Sequence, residues 1–124
     1  MDKQFYKNLK EFLKDLVIIF PEDDDALQIA STSISLAIIE DTNKHIINKF
    51  YTSLYPLELQ IKNKDINVFS TETHFPPNSY ESQLFLKIQQ NWQTFSEHNK
   101  SILWDYIDLL YDLSKNVHTL SLKV

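Results

Sequence analysis

Glycine, cysteine and arginine are all missing from this chain of 124 residues. Each absence removes a class of chemistry. Phosphate loops and dinucleotide fingerprints need glycine for positive φ angles and for close approach of backbone to phosphate. Tight β-hairpins draw on it too, and helices that cannot stop on glycine are expected to stop on Asn or to fray. Without cysteine there is no disulfide framework and no thiolate metal site. Without arginine the planar fork that reads guanine edges and clamps phosphates is gone, since all twelve basic residues are lysines. Seventeen acidic residues leave a net charge of −5. Along the first segment Lys3, Lys7, Lys10 and Lys14 alternate with Asp2, Glu11 and Asp15. Nucleic acid is therefore a disfavoured partner, because phosphate-backbone affinity comes from concentrated positive charge. No apolar run approaches the ~18 residues of a membrane span. The start shows no small-residue cleavage site and does not read as a signal peptide. These features point to a soluble, intracellular protein.

What is present suits one helical domain. The 43% hydrophobic and 13% aromatic content argues for a folded core rather than disorder. Placed at 100° per residue, Phe5, Leu9, Phe12, Leu13, Leu16, Val17, Ile19 and Phe20 share one face, with Lys7, Glu11, Lys14 and Asp15 opposite. Pro21 ends that helix, and Ile18 is a misfit among the charges. The acidic cluster at 22–25 reads as the start of a second helix, where an aspartate caps free amides. It lacks the alternating ligands and turn glycine of a calcium loop. Ala26, Ala30, Ser33 and Ala37 lie near one line, which predicts a close helix neighbour, with Leu27, Ile34 and Ile38 flanking it. A strand through "SISLAII" is the rival reading.

A third helix over 43–54 puts Ile46, Ile47, Phe50, Tyr51 and Leu54 on one face, and Pro56 opens a short piece with Leu57 and Ile61. Residues 63–79 form the one longer loop, with Ile66, Phe69 and Phe75 expected to pack inward. A fifth helix over 79–95 carries Tyr80, Leu84, Phe85, Ile88, Trp92 and Phe95 on a stripe about 140° wide. "SEHNKS" then interrupts; Ser96 or Asn99 caps a new helix, unless one helix runs straight through. From 99 to 115 the apolar arc widens to about 220°, the mark of a helix in the middle of a bundle. The tail "NVHTLSLKV" reads as a short strand or a frayed end. The expected architecture is an all-α, single-domain bundle of five to six helices.

No catalytic signature emerges. Asp105, Asp108 and Asp112 stand at i, i+3 and i+7, but di-metal bundle sites need Glu-x-x-His elements from facing helices, and none occurs. They read as a solvated strip. Ser96, Ser101 and His98 are close in sequence but lack an orienting acid and a nucleophile elbow. His45 reads as a surface histidine, and His74 has no second histidine at ligand spacing. No metal, cofactor or catalytic residue is expected.

The segments "FYKNLKEFLKDLVIIFPEDD" and "KIQQNWQTFSEHNKSILWDYIDLLYDL" resemble uncharacterised short helical proteins of large nucleocytoplasmic double-stranded DNA viruses. The features in common are an aromatic-led helix closed by Phe20-Pro21-Glu22, and Trp92, then Asn99-Lys100, then Trp104 with Tyr106. The abundance of Ile, Asn and Lys agrees with A/T-rich coding. The resemblance implies a viral origin and an all-helical fold, in a virion or the host cytoplasm, and it carries no activity or site residues.

The function expected is therefore non-enzymatic, exercised through contacts with a protein partner or a second copy of the chain. The alternative is a small enzyme or nucleic-acid accessory protein whose site only the fold assembles. A groove protein of the apoptosis-regulator type is a narrower variant, weakened by the missing glycine of its central motif. Trp92 is expected in the core. Trp104 and Tyr111 lie apart from the centre of the wide arc, beside the acidic strip. With Asp105, Asp108 and Asp112 they make the candidate partner interface, two half-buried aromatics beside acids that select a basic partner.

Overall fold

In a computed structural model, residues 2–20, 25–39, 45–69, 75 and 79–122 are described, with side chains at all of these except 2, 25–27, 121 and 122. They form α1 (Asp2–Ile19), α2 (Asp25–Ile39), α3 (His45–Leu54), α4 (Glu58–Lys62), α5 (Tyr80–Asn91) and α6 (Glu97–Leu122). One-turn 3-10 segments lie at Tyr55–Leu57, Ile66–Phe69 and Trp92–Thr94, and no strand occurs among the described residues. The chain is all-α.

Leu103, Ile107, Leu110, Ser114 and Val117 of α6 follow a 4-3-4-3 spacing and are all buried. α1 packs along one side of this line and α3 along the other, while α2 packs on α5 and against α1. The buried stripe is narrower than the apolar arc read from sequence: Leu109 is exposed and Ile102, Tyr106 and Leu113 are only half-buried, because α6 has neighbours along one side and not all round. The tail does not become a strand: Val117 continues the buried line, so helical hydrogen bonding carries α6 through Leu122.

α1 buries Phe5, Leu9, Phe12, Leu13, Leu16 and Phe20, each contributing about 1.5–3 kcal/mol relative to exposure. The Phe20 amide still donates to the Leu16 carbonyl at 3.2 Å, the last turn before Pro21. The break before α6 follows from capping: Ser96 Oγ accepts from the Asn99 amide at 3.1 Å, and Phe95 is extended. Ser79 does the same for α5, accepting from Ser82 at 3.1 Å. The proposed acidic cap at 22–24 and His74 lie outside the described residues.

α4 ends in a way composition did not anticipate. Lys64 takes φ 55°, its amide donates to Ile61 O at 3.1 Å, and the Asp65 amide donates to Gln60 O at 2.9 Å. This is the two-bond closure that helices usually make with glycine in the left-handed position. A lysine does it here, at a steric cost of about 1–2 kcal/mol. Asp65 Oδ1 then accepts from the Asn67 amide at 3.0 Å and starts the next 3-10 turn. That turn buries Val68 and Phe69, and Phe75 is buried beyond it, so the long loop packs inward as expected; Ile66, 36% exposed, does not.

The core is rich in ring contacts. Trp104–Phe69 at 5.1 Å, Phe69–Phe85 at 5.3 Å, Phe85–Phe75 at 5.1 Å, Phe75–Phe50 at 6.2 Å and Phe50–Phe5 at 5.5 Å form a continuous chain. Trp92 is half-buried at its end, 5.5 Å from Phe69 and 5.7 Å from Trp104, with the Lys100 ammonium over its indole.

Candidate functional site

The expected interface on α6 is built differently. Trp104 is 6% exposed and Tyr111 1%, so neither is a half-buried rim residue. The correction has a tertiary cause. Phe69, from the 3-10 turn after α4, lies on Trp104, while Tyr51 of α3 stacks on Tyr111 at 5.9 Å. A wheel drawn for α6 alone cannot show covers supplied by other segments.

The aspartates are largely engaged within the molecule. Lys62 of α4 donates to Asp108 and, at 2.9 Å, to Asp112; Asp105 is exposed. One turn away, Glu58 accepts from Tyr111 Oη at 3.1 Å and from Lys115 at 2.7 Å. Hydrogen bonds from Lys115 and then Tyr111 hold the Glu58 carboxyl below its usual value, and burial with the Glu58 bond raises the Tyr111 phenol. Burial pulls Lys62 down, but the bonds to Asp108 and Asp112 outweigh it and leave the ammonium raised. On the α1 side Tyr106 Oη donates to Asp15 at 2.6 Å, and burial plus that bond push the phenol up to about 12. These contacts tie α4 and α1 to α6.

Exposed apolar side chains occur singly on several elements, among them Leu59 of α4 and Leu109 and Leu120 of α6, and three of them share α2. Ile29 is 60% exposed, Leu36 60% and Ile39 72%, and with exposed Thr32 they are spaced 3-4-3, the a/d pattern of a packing seam. The buried line of α2 is Ala30, Ser31, Ile34 and Ile38. The small-residue line expected from sequence is therefore displaced: Ala30 is buried, but Ala37 is exposed and Ser33 half-buried. The side chain of Ala26 lies outside the described residues. No charged residue occurs between 26 and 39. A helix apolar on both faces has more surface to cover than its own chain covers.

Between α2 and α1 runs an open groove of about 410 Å³, with Leu13 and Val17 on one side and Leu36 and Ile39 on the other. Lys10 and Lys14 line its α1 edge, and Ser31, Thr32 and Ser35 line its α2 wall. The Ser31 hydroxyl is buried with no hydrogen-bond partner. Lys3, Lys7, Lys10 and Lys14 alternate with acids in sequence, yet at 100° per residue they occupy one arc of about 60°. All four are exposed, and none forms an ion pair with a described residue. Ile18, 71% exposed, sits one turn beyond Lys14. The sequence signals were available: the uncharged run of α2, the Ile18 misfit and the 3-7-10-14 lysine spacing.

A second cavity, of about 20 Å³, is lined by apolar side chains including Leu9, Phe12, Phe50 and Phe85 and closed by the Lys49–Glu81 ion pair at 3.3 Å. That is room for about one water, not a substrate. Among the described residues no group of three or more His, Asp or Glu is placed to hold a metal ion. Ser96 is occupied in capping, His98 is exposed, and His118 stacks on Tyr51 at 4.5 Å. No helix among the described residues is long and apolar enough to cross a membrane. Compared with known proteins, the chain matches no family model, no curated protein and no solved structure.

Proposed function

We propose that this protein is non-enzymatic and acts by binding another protein through the α1–α2 face, in a virion or in the cytoplasm of an infected cell. The observation that carries the reading is the seam Ile29, Leu36 and Ile39, large apolar side chains left in solvent on a helix with no charge from 26 to 39. Covering the exposed part of such side chains would recover about 1–2 kcal/mol each. The viral setting rests on the resemblance in the two terminal segments.

Affinity purification from infected cells tests the reading. Wild-type protein should retain a partner that Leu36→Asp/Ile39→Asp loses, while both give the same helical circular dichroism. Equal recovery by the folded variant would remove this face. Sedimentation of the purified protein shows whether the partner is a second copy.

A further inference from the structure

We propose that the groove between α1 and α2 receives an acidic amphipathic helix of a partner protein. The inference deepens the protein-contact reading and rests on it. Three observations converge on this chemistry. The groove carries an apolar strip between polar edges, Leu13 and Val17 on one side with Leu36 and Ile39 on the other, so it accepts an apolar stripe. Its α1 edge carries Lys10 and Lys14, extended by Lys7 and Lys3 into a row of exposed lysines without ion-pair partners among the described residues. From Lys3 to Lys14 that row spans about 16 Å, some three helical turns. An occupant with carboxylates along one edge, at i, i+4 and i+7, matches it turn for turn. The α2 wall adds the accessible hydroxyls of Thr32 and Ser35, which an acidic or amide side chain can meet.

Other occupants fit less of this surface. A second copy offering its own α2 carries acids only toward the helix ends, at 22–25 and 40–41, and none between 26 and 39 to answer the middle of the lysine row. A second copy offering its α6 strip brings Asp108 and Asp112 already held by Lys62. A nucleic acid would meet the lysines but leave Ile18, Leu36 and Ile39 uncovered. An acidic amphipathic helix covers the apolar residues and the charges together, and charge pairing on a rim acts mainly on association rate and salt dependence.

The test is selection from a yeast-displayed library of helical peptides with randomised outward positions, using labelled full-length protein as bait. Counter-selection uses Lys10→Glu/Lys14→Glu and Leu36→Asp, three exposed positions whose replacement leaves the core untouched. Expected are peptides with an apolar i, i+3, i+7 stripe edged by Glu or Asp. They should lose at least about tenfold in affinity for either variant and weaken as salt rises. Enriched peptides that are basic or uncharged, an absence of enrichment, or equal binding to the variants would overturn the proposal. So would a wild-type dimer that Leu36→Asp dissociates, or duplex DNA binding lost in the lysine variant. Failure here with partner loss still seen for Leu36→Asp/Ile39→Asp in cells rejects the acidic helix and keeps the protein-contact reading.

Discussion

The α4–α6 face and the α1–α2 face contain similar materials, aliphatic side chains, lysines and hydroxyls, but use them in opposite ways. On the first, Lys62 meets Asp108 and Asp112, Lys115 and Tyr111 meet Glu58, and Trp104 is covered by Phe69. On the second, the lysines of α1 meet no described acid, Ser31 has no partner, and Ile29, Leu36 and Ile39 stand in solvent. On the first face the charges and the large aromatics are answered within the chain, although Leu59 of α4 and Leu109 of α6 stay exposed. A conspicuous cluster of aromatics and acids can therefore be internal scaffolding, while a bland helix, uncharged from 26 to 39, carries the open seam.

The contrast breaks most directly at Trp104. Trp104→Ala should cost about 3–5 kcal/mol in a urea titration, as for other buried large aromatics. A loss below about 1 kcal/mol would return the indole to the surface and restore the α6 interface. A gain of about 1 kcal/mol is expected for Lys64→Gly, because glycine takes the left-handed angle at the end of α4 without a Cβ clash. An unchanged or lower urea midpoint would mean that Lys64 does not hold that angle in solution.

Acid separates the two faces without mutating the core. The Glu58 carboxyl is held below its ordinary 4.5 by Lys115 and Tyr111. Its contribution to stability is therefore full above pH 4.5 and lost as pH falls through the lowered folded value. Glu58→Gln should flatten that part of the melting-temperature profile. A profile identical to wild type would show that the contact contributes nothing in solution. The smallest change belongs to the open face: Leu36→Asp should shift stability by less than about 0.5 kcal/mol, since the side chain already stands in water. A loss of several kcal/mol, read in the same titration, would place Leu36 in the core and close the proposed surface.

Much of the fold was legible in the residues. The stripe of α1, the face of α3 and the inward packing of Phe69 and Phe75 follow from periodicity and apolar character, whereas the wide arc of α6 is buried only in part. Ser96 against Asn99 as the α6 cap was open, because both residue types cap and only the chain's exit from Phe95 selects one. The tail was ambiguous because "VHTLSL" alternates like a strand, while Val117 also continues a helical line. The surface was the least legible part. Whether Trp104 is covered depends on a 3-10 turn some 35 residues earlier in the chain, and nothing local to α6 carries that information.

Periodicity, capping residues and the lack of glycine determined that this chain is helical and which stripe of most helices turns inward, because helical pitch and backbone sterics act between near neighbours. Tertiary structure alone decided which apolar residues stay outside. Leu103 and Leu36 are chemically the same side chain, and one is sealed between helices while the other is 60% exposed. The difference lies in the neighbours that distant segments bring to each, a long-range property that no local pattern encodes.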